Sequence, residues 1–152
     1  MRFLRMLAVG LLVGLVASGC SGGLTRAKGR VIKGGEPYHP PDGGSLLIDF
    51  APVDSPDSSH SDSYAAQYDP TDGTFKVVGK DGKGLPRGKY RVGIQLMKKK
   101  EDLLGGQLTT SKSPLLFDVT GAEIVIDLDK ADFDSILKAP RKVNKARRPR
   151  RG

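Results

Sequence analysis

The chain has no tryptophan, one cysteine and two histidines among its 152 residues. Each scarcity closes a route to function. A single cysteine permits neither an intrachain disulfide nor a cysteine cluster for zinc, which is usually held by three or four protein ligands with a recognisable local pair. His39 stands before two prolines, and His60 lies inside "DSPDSSHSDS", a polar stretch without periodicity. Neither histidine has a His-x-x-Glu or His-x-His neighbour, so both read as loop residues. No Gly-x-Ser-x-Gly elbow lifts a serine into a strained strand-to-helix turn. The sequence thus names no catalytic residue and no cofactor, and an enzyme is not the expected class.

A long hydrophobic run is missing too. The uncharged segment from Met6 to Gly19 is interrupted by Gly10, Gly14 and Ser18, and it is shorter than the roughly 20 apolar residues a membrane-spanning helix requires. Preceded by Arg2 and Arg5, it has the positive start and short apolar middle of a bacterial export signal. Ala17, Ser18 and Gly19 supply the small residues that a signal peptidase needs before the cut.

"VASGC", Val16 to Cys20, resembles the lipobox of bacterial lipoproteins, with Ala17 where leucine is commonest. The resemblance implies that the Cys20 thiol takes a diacylglyceryl group and that cleavage between Gly19 and Cys20 leaves the cysteine as the first residue. Each buried methylene contributes about 0.8 kcal/mol, so one acyl chain holds marginally while two or three anchor stably. Cys20 is then consumed as an anchor, which removes the one thiol from catalysis. The competing readings are a plain signal peptide with an incidental cysteine and an uncleaved anchor; in each the chain leaves the cytoplasm. Under enterobacterial sorting, Ser21 in place of aspartate favours the outer membrane.

The formal net charge of +8 suggests nucleic acid until it is placed along the chain. Between Cys20 and Leu137 there are 15 basic and 17 acidic residues, a net of −2. The basicity lies in "KAPRKVNKARRPRRG", which carries Lys138, Arg141, Lys142, Lys145, Arg147, Arg148, Arg150 and Arg151 and no acid. Two prolines and a block of like charge bury too little surface to offset ordering, so residues 138–152 are expected to be a disordered tail. Outside the cytoplasm it would meet anionic lipid headgroups, acidic wall polymers or extracellular nucleic acid, all with strong salt dependence. Near an anionic membrane each cation contributes about 1 kcal/mol. A solvated tail without a dedicated partner is the plain alternative. The export signal argues against a nuclear role, and charge confined to a tail argues against specific nucleic-acid binding.

The middle of the chain alternates. In "GKYRVGIQLM", Tyr90, Val92, Ile94 and Leu96 share one face, and the period of two predicts a half-buried strand. The same pattern places Leu46, Ile48 and Phe50 inward in "SLLIDFAPV", Leu115, Phe117 and Val119 in "PLLFDVT", and Ile124, Ile126 and Leu128 in "AEIVIDLD". "AKGRVI", "SYAAQY" and "TFKVV" are weaker members, giving seven strands. Glycine-rich turns separate them, among them Gly34-Gly35, Asp72-Gly73, Asp81-Gly82 and Gly105-Gly106. No long amphipathic helix competes, so an all-β, antiparallel sandwich or barrel with one core is expected.

"YDPTDGTFKVVGKDGKGLPRGKYRVGI", after an early "GRVIKGGEPY", resembles the prealbumin-like, Ig-like Greek-key sandwiches related to the carboxypeptidase regulatory domain, which are common in small lipoproteins of planctomycete-type bacteria. Thr71, Asp72, Gly73, Thr74 and Phe75 fit the family's hairpin. Gly84, Leu85, Pro86, Gly88, Lys89, Tyr90 and Val92 fit its second motif, with Arg87 replacing a proline. "SPLLFDVTGAEIVIDLD" fits the closing strand pair, so the resemblance covers residues 26–129. It implies a structural motif, with Phe75 and Tyr90 in the core. The related transthyretin-like hydrolases end in Tyr-Arg-Gly-Ser and use several histidines; this chain ends Arg-Arg-Gly, and their activity is not carried over.

The chain therefore divides into a signal with lipobox (1–19), a lipidated tether (20–25), a sandwich domain (26–130), a short irregular or helical segment (131–137) and the basic tail (138–152). Asp127, Asp129, Asp132 and Asp134 crowd the end of the last strand and are weak candidates for calcium, which takes six to eight oxygens. Their spacing is not that of an EF-hand, and a solvated strand end explains them as well. Lys98-Lys99-Lys100 opens a loop running to Ser113, long enough to be a binding feature, whose Leu103 and Leu104 are either exposed or cap an open end of the core, capping being the expectation. The leading expectation is a lipid-anchored envelope module with a binding, structural or accessory role. An accessory subunit would show an exposed apolar patch beside the 100–113 loop. The alternative is an envelope enzyme or calcium-binding module with an unrecognised carboxylate site.

Overall fold

The computed structural model describes residues 23–53 and 63–139. In chain order it contains β1 (Leu24–Thr25), β2 (Ala27–Lys33), β3 (Glu36–Pro37), β4 (Gly44–Pro52), β5 (Tyr64–Tyr68), β6 (Thr74–Val77), β7 (Leu85–Pro86), β8 (Gly88–Lys98), β9 (Glu101–Asp102), β10 (Leu116–Val119), β11 (Ile124–Asp127) and α1 (Phe133–Lys138). Single 3₁₀ turns occupy Lys80–Gly82 and Leu128–Ala131. All seven segments with period-two patterning are strands; β1, β3, β7 and β9 are two-residue additions.

The main pairing path runs β10-β8-β4-β5-β6-β2-β11, with β3 added to β2 and β9 to β8. A flat sheet of this width would keep β4 and β6 apart across β5. Instead Phe50 of β4 and Phe75 of β6 bring their rings to 5.8 Å, and Tyr64 and Tyr90 meet edge to face at 6.1 Å. The path therefore folds over near β5 into two layers, and one face of every long strand turns into a common core.

That core is what the alternation anticipates. Val31, Phe50, Val77, Val92, Ile94, Leu96, Ile126 and Leu128 are fully buried, with Ala27, Leu46, Ile48, Phe75, Tyr90, Val119 and Ile124 nearly so. Burying each large apolar side chain contributes about 1.5–3 kcal/mol. Tyr64, Ala66, Tyr68 and Phe117 are only partly buried, because β5 lies where the sheet folds over and β10 lies at the end of the path.

Two expectations need correction. The pairing is not wholly antiparallel: β11 runs parallel to β2, from Ile124 opposite Gly29 to Asp127 opposite Ile32. Nor do β10 and β11 form a closing pair. β10 joins β8 and β11 joins β2, at opposite ends of the path. The short link between them crosses from one layer to the other, so the two strands face across the core. Gly29 makes the parallel contact feasible, since a Cβ there would sit 1.8 Å from the Ile124 carbonyl oxygen.

The segment left open between sheet and tail is ordered. The Asp127 carboxylate accepts the Asp129 amide at 3.1 Å and starts the 3₁₀ turn, after which α1 places Phe133 in the core edge-on to Tyr38 at 5.4 Å. Lys138, expected as the first residue of the tail, closes this helix. Leu24 and Thr25, expected within the tether, pair with Pro86 and Leu85.

Candidate functional site

The outer face of the β5-β4-β8-β10 layer carries the most unusual surface. Residues alternate away from the core there, so Leu47, Asp49 and Ala51 of β4 stand opposite Gln95, Gly93 and Arg91 of β8, and Arg91 in turn faces Leu116 of β10. Leu47, Val53 and Leu116 are 46, 42 and 57% exposed. Asp49, between Gly93 and Ala65, is half-buried and has no hydrogen bond or ion pair with any described residue. Burial alone pushes its carboxyl above the usual carboxylate range, because removing water disfavours the charged form.

The 98–113 segment walls this face. It turns back from β8 through Lys99 and Lys100, both at positive φ (49° and 69°), as a two-residue hairpin demands; lysine in that conformation costs about 1 kcal/mol per residue. Asp102 then organises the return. Its carboxylate accepts the amides of Leu96 at 3.2 Å, Leu104 at 3.0 Å and Gly106 at 2.8 Å. Leu104 and Leu108 are buried and Leu103 partly so: the loop caps the core, as expected of its leucines. The chain is pinned to β8 where the Ile94 amide donates to Leu108 at 2.7 Å and Val92 donates to Leu115 at 2.9 Å. It passes so close outside β8 that a Cβ on Gly93 would lie 2.6 Å from the Thr110 nitrogen.

The residues suspected of metal binding do not converge. Asp129 accepts the Gly34 amide at 2.7 Å, Asp134 pairs with Lys33 at 2.9 Å, and Asp127 caps the 3₁₀ turn with Lys130 at 4.0 Å. Asp132 adopts the left-handed conformation between the two helical turns. Among the described residues no group of three His, Cys, Asp or Glu side chains is arranged to hold a metal ion. His39 is exposed and donates from Nδ1 to the Pro70 carbonyl at 2.7 Å, so it fastens β3 to the β5–β6 turn.

That turn is likewise explained by structure. The Asp69 carboxylate accepts the Thr71 amide, while Thr74 donates both hydroxyl and amide to Asp72, at 2.7 and 2.9 Å. These bonds hold the Asp72 carboxyl below its usual range. An open depression of about 440 Å³ beside it is lined by Gln67, Tyr68, Asp69, Lys76 and neighbours. Tyr68 donates its hydroxyl to the Tyr38 carbonyl, and burial, then Tyr38, Asp72 and Asp69, push it up to about 12. Tyr90, hydrogen-bonded to the Pro86 carbonyl at 2.8 Å, is pushed up to about 12 by burial and by Tyr64. Neither phenol ionises near neutrality, so both act as ties between strands.

Gly19, Cys20, His60 and the tail residues Arg141, Lys142, Lys145, Arg147, Arg148, Arg150 and Arg151 lie outside the described residues. Lys138 is exposed at the end of α1. Among the described residues no helix is long and apolar enough to cross a membrane. Asp49 escaped the sequence reading, since one aspartate on an outward strand position looks like any solvated residue; only Leu47 two positions before it and the loop leucines hinted at a covered surface. Comparison with known proteins finds no match: no family model fits the chain, and no curated protein and no solved structure resembles it significantly.

Proposed function

We propose that the chain is an exported, lipid-anchored module of the bacterial envelope, built as a seven-stranded Greek-key sandwich of the prealbumin-like kind, and that it acts by binding a protein partner. Attachment is supported by the sequence from Arg2 to Cys20, where a positive start, a short apolar run and a terminal cysteine coincide. Sandwich kinship is supported by the two motifs around Thr71 and Tyr90.

The observation that carries the binding role is the outer face of β4, β8 and β10. Leu47, Val53 and Leu116 remain in water there, on the same face as the half-buried Asp49, which has no partner among the described residues. Apolar surface gains about 25 cal/mol per Å² when it is covered, so a partner laid along this face would gain at each of the three residues, which the register spaces along the strands. A partner presenting aliphatic side chains and one cation would cover the leucines and pair with Asp49.

Fractionation and co-purification from the native host test both halves. Wild type is expected in the membrane fraction, and Cys20→Ser is expected in the soluble one. Leu47→Lys with Leu116→Lys should stay anchored yet lose the partner identified by mass spectrometry. Membrane association unaffected by Cys20→Ser would remove the anchor; an unchanged partner set in the double variant would remove the docking face.

A further inference from the structure

The two ends of the sandwich differ in charge. At the end where the described chain begins, Leu24 and Thr25 pair with Pro86 and Leu85. Gly84 approaches so closely that an added Cβ would lie 2.3 Å from the Thr25 carbonyl oxygen and 3.2 Å from the Arg26 nitrogen. This packing sets Arg26, Lys83 and Arg87 around one two-residue ladder, and all three are exposed. Leu24, 51% exposed, projects among them opposite the exposed Pro86. Among the described residues the acids nearby are Asp81, Asp118 and Glu123, and Glu123 is occupied by Arg30 at 2.9 Å; Asp54, Asp57 and Asp62, in the segment that joins Val53 to Ser63 at this end, lie outside the described residues. The opposite end carries the Asp69 and Asp72 turn and the aspartates around α1, together with Lys33 and Lys130 beside those aspartates and Lys98, Lys99 and Lys100 at the end of β8.

Cys20 precedes Leu24 by four residues, which span at most about 14 Å when fully extended. An anchored chain therefore holds this end close to the headgroups, against a screening length of about 8 Å at physiological salt. The parallel course of β2 and β11 carries the chain away from that surface, so Ala139, the last described residue, lies at the far end.

We propose that the β1·β7 end is a membrane-docking surface, in which Arg26, Lys83 and Arg87 contact anionic phospholipid headgroups and Leu24 sits at the hydrocarbon boundary. The sandwich then stands on the bilayer with β3, β9 and α1 pointing away, and the basic sequence after Ala139 starts from the membrane-distal end. This rests on the anchored reading of Cys20. Each base near an anionic surface is worth about a fivefold preference, or about a hundredfold for three.

The test uses the full lipidated protein reconstituted in phosphatidylcholine vesicles with or without phosphatidylglycerol. Thr120→Cys, beside β1, and Thr71→Cys, at the far end, are labelled with a fluorophore that headgroup spin-labelled lipids quench. With phosphatidylglycerol, quenching is expected several-fold higher at position 120 than at 71, and lost in high salt. Arg26→Gln, Lys83→Gln and Arg87→Gln together should abolish the difference while leaving the circular dichroism spectrum unchanged. Equal quenching at both positions, or a difference that survives the triple variant, overturns the docking surface for a chain whose intact mass shows a lipidated Cys20. An intact mass with an unmodified Cys20 overturns the anchor and this proposal together.

Discussion

Replacing Gly29 by alanine adds one methyl group, yet it should be among the most damaging single changes in the sheet. The new Cβ would lie 1.8 Å from the Ile124 oxygen, 2.7 Å from its carbon and 3.0 Å from its nitrogen. A carbon and a carbonyl oxygen rest at about 3.3 Å or more, so β11 must retreat by about 1.5 Å. The obstacle is backbone on both sides, which no rotamer change relieves. Hydrogen bonds near 2.9 Å would stretch past 4 Å and cease to count. Overpacking costs about 1–3 kcal/mol, and two weakened backbone bonds add about 1 kcal/mol each, for a total near 4 kcal/mol. At about 4 °C per kcal/mol for a domain of this size, Tm should fall by roughly 15 °C. Gly34→Ala is the control: Gly34 has open space around it and φ of 61°, so only backbone strain of about 1 kcal/mol applies. Urea and thermal unfolding of the two variants decide the matter. If Gly29→Ala costs no more than Gly34→Ala, the parallel β2·β11 contact leaves room for a Cβ and the expected clash is refuted.

Three further outcomes are expected. Asp102→Ala removes the acceptor of three amides and should destabilise by about 2–3 kcal/mol, with faster hydrogen exchange across residues 103–113; exchange confined to the hairpin at Lys99 would contradict its organising role. Asp49→Asn should raise Tm at about pH 7 and leave it unchanged at about pH 3. Burial raises the Asp49 pKa in the folded chain, so its favourable contribution is present below the ordinary carboxylate range and lost as pH rises through the folded value; a variant effect that grows on acidification would refute this. Deleting residues 140–152 should leave Tm untouched and weaken retention on anionic wall polymers at low salt, and equal retention by the truncated chain would mean that the tail has no electrostatic partner.

The sequence by itself determined which segments are strands and which of their side chains face inward. Alternation is local physics: a pleated strand sends neighbouring side chains to opposite faces, so Val92, Ile94 and Leu96 had one buried side wherever their strand was placed. Glycines at positive φ fixed the turns for the same local reason, and Leu104 could be read as a cap because a leucine in a long polar loop needs cover. Pairing partners were a different matter. Nothing in "FDVTGAEIVI" distinguishes a hairpin from a crossing between layers; the choice depends on which edge remains open once β2, β6, β4 and β8 have paired. The acidic cluster shows the same limit, because spacing along the chain brings Asp127 to Asp134 together, while the Gly34 amide and Lys33, about a hundred residues earlier in sequence, draw the carboxylates apart. Asp49 became notable only once Ala65 and Gly93 flanked it in the sheet and it was half-buried. Burial of that kind is a property of distant segments meeting, and tertiary structure alone decided it.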